Sequence, residues 1–98
     1  MELWFTEEHS PNVRFSVKVN RQLYSQRSEF QKIDIYETPE FGRVLVIDGY
    51  IMATEKDEFA YHEMIAHVPM AVNTEAKRVL VVGGGDGGTV RELVKYPF

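Results

Sequence analysis

A chain of 98 residues closes one small core at most, and its 44% hydrophobic and 27% charged residues place it among folding globular chains, not disordered ones. The formal charge of −4, with no run of five like charges, supplies no cationic field for nucleic acid or an anionic membrane surface. Cysteine is absent, which leaves no disulfide or thiolate metal site, and there is neither a secretory leader pattern nor the ~18 apolar residues of a membrane span, so a cytoplasmic protein is expected.

From Val13 to Val19 the residues alternate, with Val13, Phe15, Val17 and Val19 set against Arg14, Ser16 and Lys18, the period of a half-buried strand. Ile33 and Ile35 resume the pattern against Asp34. Val44 to Ile47 then runs apolar into Asp48-Gly49, a dipeptide suited to a tight hairpin turn, and Tyr50-Ile51-Met52 reads as the returning strand. With a further turn at Pro39 to Gly42, residues 1–54 are expected to form an antiparallel β meander domain.

At Asp57 the period changes. Tyr61, Ile65 and Val68, flanked by Ala60 and Met64, define the inward stripe of a helix with Asp57 as N-cap, expected to stop near Pro69. Lys77-Arg78 open Val79-Leu80-Val81-Val82, a continuous β-branched run of the kind buried on both faces of a parallel sheet. Gly83 to Gly88 follow, and Thr89 to Tyr96 carry Val90, Leu93 and Val94 at helical spacing before Pro97. Residues 55–98 therefore read as the start of a nucleoside-binding α/β domain. A parallel strand needs neighbours on both sides, and nothing after Phe98 supplies them, so the chain reads as truncated.

Gly83, Gly85 and Gly88 satisfy G-x-G-x-x-G between a strand and a helix start, where glycine allows positive φ and close approach of backbone to a ligand. A tight turn without a ligand is the plainer alternative. Asp86 lies inside the loop, where a carboxylate would repel the pyrophosphate of a dinucleotide, which argues against NAD. The same charge suits a ligand carrying an ammonium or a sulfonium; simple capping of the helix is compatible with that role.

His62-Glu63-Met64-Ile65-Ala66-His67 holds one residue more than the zinc motif H-E-x-x-H. Positions i and i+5 lie about 140° apart on a helix, against about 40° for i and i+4, so one metal cannot take both histidines and no metal site is expected. Glu55, Asp57, Glu58 and Glu63 gather near the helix start with Tyr61 and His62. On charge pattern alone this is a solvated acidic face.

The blocks Ser28-Glu29-Phe30-Gln31, Val44-Leu45-Val46-Ile47-Asp48-Gly49, Asp57-Glu58-Phe59-Ala60-Tyr61-His62-Glu63-Met64 and Val82 to Glu92 resemble spermidine synthases in order and spacing, over nearly the whole chain. Other aminopropyltransferases and plant-type putrescine N-methyltransferases share them. The resemblance implies an N-terminal β domain followed by the first βα unit of a methyltransferase-type Rossmann-like domain. It also implies transfer of the aminopropyl group of decarboxylated S-adenosylmethionine to putrescine, giving spermidine and methylthioadenosine. By the same resemblance Gln31 corresponds to a glutamine that contacts the nucleoside product; Gly83, Gly84 and Gly85 are the loop's own candidates for the nucleoside. His62 and Asp86 correspond to polyamine-binding positions, and Tyr61 lines that pocket. Many members carry glutamine at the His62 position, which favours hydrogen bonding there over proton transfer.

The charges suit that chemistry. Putrescine is a dication at neutral pH, since alkyl amines titrate near 10, and carboxylates select it. The sulfonium is already an activated leaving group, so neither a metal nor a cofactor is expected; the decarboxylated donor is a co-substrate. The family's ribose-binding acidic residue and its general-base aspartate come further along the chain, so these 98 residues alone are expected to be inactive. The resemblance further implies a homodimer or homotetramer built on the β domain. Three rivals remain: a putrescine N-methyltransferase using intact S-adenosylmethionine, an NAD-linked oxidoreductase, and a non-catalytic oligomerisation module using the exposed meander edge.

Overall fold

The computed structural model describes all residues, Met1 to Phe98, as two compact units, Met1–Asp57 and Glu58–Phe98, each with a small core of its own where the length alone predicts one at most. The first holds six antiparallel strands: β1 (Leu3–Ser10), β2 (Val13–Val19), β3 (Arg21–Arg27), β4 (Lys32–Thr38), β5 (Gly42–Ile47) and β6 (Tyr50–Thr54). Strands β1 and β2 form a two-stranded sheet, and β3-β4-β5-β6 form a four-stranded meander. β1 and β3 escape a reading by alternation because their apolar residues are adjacent, Leu3-Trp4-Phe5 and Leu23-Tyr24, instead of alternate; β3 is exposed along its whole length, as an edge strand tolerates.

Turn chemistry sets the meander's register. Asp48 and Gly49 both take positive φ, 52° and 85°, as the two-residue turn between β5 and β6 requires. The Asp48 carboxylate also accepts the Lys32 N–H at 2.8 Å, tying this turn to the start of β4. At the other end, Thr38 Oγ1 accepts the Phe41 N–H at 3.0 Å and donates to the Gly42 carbonyl at 2.8 Å, closing the turn between β4 and β5.

The inner face of β4 is the reverse of the alternation expected from its isoleucines. Asp34 is buried, 4% exposed and opposite Val46, whereas Ile33 and Ile35 are half-buried on the other face opposite Ile47 and Leu45. Hydrogen bonding makes this tolerable: Gln22 Nε2 donates to Asp34 Oδ1 at 3.1 Å and the Lys32 ammonium lies 3.8 Å from Oδ2. Burial beside Asp34 pushes the Tyr36 hydroxyl pKa up, desolvation contributing most and the Asp34 charge next. Val44 and Val46 are the most deeply buried side chains of this core, joined by Val17 and Val19; Val13 and Phe15, nearer the Pro11-Asn12 turn, stay exposed. Glu7, also buried, accepts the Ile51 N–H and lies 2.9 Å from His9 Nε2, fastening β1 to β6.

The second unit contains α1 (Glu58–Val72) and α2 (Gly88–Leu93). α1 runs through Pro69 and one turn beyond, contrary to the expected stop. Proline removes one N–H, but the Pro69 carbonyl still accepts the Asn73 N–H at 2.9 Å, and buried Met70 holds the last turn to the core. The buried face of α1 is His62, Ala66 and Met70, at i, i+4 and i+8, and the expected stripe of Tyr61, Ile65 and Val68 is exposed. The core is small, Ala66, Met70 and Leu93 with Ala76, Val81 and Tyr96 packed on it, because short α2 brings few apolar side chains to α1. Val79 to Val82 also depart from expectation. They form no strand, and Leu80 and Val82 are 86% and 88% exposed, since the unit holds no other strand to complete a ladder. No helix is long and apolar enough to cross a membrane.

Candidate functional site

Within the second unit the glycine-rich loop is shaped by several distinct demands on its glycines. Gly83 and Gly87 have φ of 76° and 78°, which side-chain-bearing residues rarely adopt, and the Gly87 N–H donates to the Gly84 carbonyl at 3.1 Å. Gly84 lies under Val81, whose Cγ1 would be 2.7 Å from a Cβ. Gly88 is pressed against the His62 ring. Gly85 is different: its φ is ordinary and a Cβ would meet nothing within 4 Å, so neither strain nor packing within the unit demands glycine there.

Asp86, in the middle of the loop, uses its two oxygens separately. Oδ1 accepts the Gly88 N–H at 3.1 Å, and Oδ2 lies 3.3 Å from His62 Nε2. Asp86 thus ties the loop to the first residue of α2 and keeps a second oxygen near the histidine. His62 is buried on α1, with its Nδ1 hydrogen-bonded to Glu58 Oε2 one turn earlier. Tyr61 meets the His62 ring edge-on, centroids 5.2 Å apart, and is itself exposed.

Behind His62 stands a polar chain that sequence reasoning left unassigned. Arg91 NH1 and NH2 donate to Glu58 Oε1 and Oε2 at 2.8 and 3.1 Å, a bidentate pair, while Arg91 Nε donates to Glu92 Oε2 at 2.7 Å. Buried Glu92 also accepts from Lys95 Nζ at 2.7 Å and His67 Nε2 at 3.0 Å, and His67 Nδ1 lies 2.6 Å from the Tyr96 hydroxyl. Hydrogen bonds from Arg91 and then His62 hold the Glu58 carboxyl at about 2; those from Lys95, Arg91 and His67 hold Glu92 at about 2. Both are carboxylates at neutral pH. The i, i+4 spacing of Glu58 and His62 was a usable signal, but the pairing with Arg91 joins residues 33 apart and has none.

The remaining candidates fall elsewhere. Gln31 belongs to the first unit, half-buried just before β4, in a turn where Ser28 Oγ accepts the Gln31 N–H at 3.1 Å. The acidic cluster read from the sequence disperses. Glu55 pairs with Arg43 at 3.0 Å, Asp57 takes the Thr54 hydroxyl, Glu58 holds His62, and Glu63 is exposed. His62 and His67 serve separate partners, Glu58 with Asp86 and Glu92 with Tyr96, so the two rings do not converge on one point.

Residues 3–55 match the family model described as the spermidine synthase tetramerisation domain, and residues 58–98 match the spermine/spermidine synthase domain. The chain belongs to the spermidine synthase family. Among curated relatives, the polyamine aminopropyltransferase of Clostridioides difficile (strain 630) is 64% identical over 99% of this chain, and that of Lachnoclostridium phytofermentans is 66% identical over 98%. In each case the alignment covers 34% of the relative, so the chain spans about a third of the length of the curated relatives it matches. The crystal structure of spermidine synthase from Thermotoga maritima superposes with a TM-score of 0.92 at 53% identity, over 96% of this chain and 33% of that one. A spermidine synthase solved with the transition-state analogue AdoDATO gives the same score and identity, over 32% of its length. The family fold is thus an N-terminal β domain followed by the beginning of a methyltransferase-like domain.

Proposed function

We propose that the protein to which this chain contributes transfers the aminopropyl group of decarboxylated S-adenosylmethionine to putrescine, forming spermidine and methylthioadenosine. What supports this reading is the closeness of Asp86 Oδ2, on the glycine-rich loop, to His62 Nε2 on α1, 3.3 Å apart, beside Gly85, which has open space around it. A carboxylate and an imidazole at that separation can both accept from one ammonium or amine. The names of the close relatives, polyamine aminopropyltransferases and spermidine synthases, point the same way.

In this scheme the Asp86 carboxylate attracts a dicationic amine, and His62 with exposed Tyr61 orients it. The reacting nitrogen loses its proton to a general base beyond these residues. Its lone pair then attacks the carbon bonded to sulfur, the C–S bond breaks, and the thioether leaves with that electron pair. The sulfonium supplies the leaving-group activation, so the chemistry calls for no metal or further cofactor. Alignment of nitrogen, carbon and sulfur accounts for most of the remaining acceleration. The Gly83 to Gly85 backbone is assigned to the nucleoside of the donor, and the first unit to assembly of a homodimer or homotetramer. Because the general base lies outside residues 1–98, this segment alone is assigned no turnover.

Calorimetric titration of the full-length protein with putrescine tests the site. Asp86→Asn is expected to weaken binding by about 10- to 100-fold, the range for losing one charge-assisted hydrogen bond. Unchanged affinity would remove Asp86, and this reading of the loop, from the amine site.

A further inference from the structure

We propose that Glu58, clamped by Arg91, is a positioning residue that fixes His62 with its proton on Nδ1, so that Nε2 faces Asp86 as an acceptor for the substrate amine. The inference rests on the polyamine site proposed above, but its geometry stands on the second unit alone.

An ionised carboxylate only accepts hydrogen bonds. Glu58 remains ionised because both guanidinium NH groups of Arg91 donate to it, and its Oε2 also meets His62 Nδ1; that nitrogen must therefore carry a proton. In the neutral ring the other nitrogen is then a lone pair. It lies 3.3 Å from Asp86 Oδ2, another acceptor. In the neutral ring the two acceptors are served together by one shared donor, and an alkylammonium carries three N–H donors in a compact head. The charged or polar groups around the ring are Glu58 and Asp86 in direct contact, Arg91 behind Glu58, and Tyr61 at the ring edge.

Arg91 is held in turn by Glu92, whose buried carboxylate takes its Nε–H at 2.7 Å. The guanidinium is thereby fixed at both ends, so the clamp on Glu58 has a defined direction. The i, i+4 placement of Glu58 and His62 on α1 and the closeness of Gly88 to the ring leave His62 little room to turn.

The test uses the full-length protein with 15N-labelled histidine rings, observed by NMR without substrate at a pH where His62 is neutral. In the wild type the proton is expected on Nδ1. In Glu58→Leu, with Asp86 the remaining acceptor, it is expected on Nε2. Arg91→Lys keeps a positive charge but loses the fork, and is expected to give a mixture of the two tautomers. A wild-type ring with its proton on Nε2, or an unchanged tautomer in whichever of the two variants folds, overturns the proposal. Kinetics supply a second arm: Glu58→Leu should raise KM for the amine ~10-fold, the lower end of what loss of an orienting partner costs elsewhere, and leave KM for the nucleoside donor unchanged. An equal rise in both would make Glu58 merely structural. Because the NMR arm needs no turnover, its failure sinks the positioning role alone, whereas a wild type that makes no spermidine sinks the functional reading.

Discussion

Gly88, the first residue of α2, lies so close to the His62 imidazole that a Cβ would fall 2.2 Å from both Nδ1 and Cε1 of the ring. The last glycine of the loop is there for the histidine of α1, and no strain of its own backbone calls for it, since its φ is ordinary. Gly88→Ala improves the helix propensity of α2, yet it must displace the ring. Full-length Gly88→Ala is expected to keep a folded circular-dichroism spectrum while losing about 10- to 100-fold in kcat/KM for the amine, the range for one charge-assisted hydrogen bond. Wild-type kinetics would show that the ring relocates without consequence.

Gly85→Ala makes the contrasting case. Nothing within the unit occupies the space a Cβ would take, so the variant should be as stable as wild type in urea unfolding. If the loop backbone meets the nucleoside, the added methyl should instead raise KM for the donor and leave KM for putrescine unchanged. Normal donor affinity would show that the ligand passes elsewhere.

Acid sensitivity follows from Glu58 and Glu92. Both carboxyls titrate at about 2 in the folded chain against an ordinary 4.5, so the unfolded chain binds their protons more readily. Their contribution to stability is fully present above about pH 4.5 and is lost as the pH falls toward 2. Urea unfolding of full-length Glu92→Gln across this window should show a shallower acid decline than wild type. Parallel declines would mean that Glu92 titrates alike in the folded and unfolded states.

The β unit offers a test of packing. Val46 is fully buried at the centre of the meander, opposite Asp34, and Val46→Ala removes two methyl-sized groups from that core. A loss of about 2 kcal/mol is expected in chemical denaturation, combining transfer and cavity terms. Less than about 0.5 kcal/mol would place the core elsewhere.

What the sequence makes legible depends on whether the signal is local. Asp48-Gly49 names its own turn because the positive φ values are demanded at those two residues, and the apolar run of β5 marks the core. Asp34 is misread by alternation because its burial depends on Gln22 and Lys32, one of them on another strand. In α1 the apolar period identifies a helix but not the face that is covered, since His62 is buried through hydrogen bonds and Ala66 through its small size. Val79 to Val82 have strand composition without a ladder to join. Of the candidate site, His62, Asp86 and the glycines stand in short contiguous blocks and could be recognised. Arg91 becomes meaningful only when α2 folds back on the start of α1.

Product analysis decides whether the protein transfers an aminopropyl group. Full-length protein is incubated with putrescine and either decarboxylated or intact S-adenosylmethionine, and the products are identified by mass spectrometry. Spermidine and methylthioadenosine are expected from the decarboxylated donor and nothing from the intact one. N-methylputrescine from the intact donor, or no product from either, would contradict that expectation.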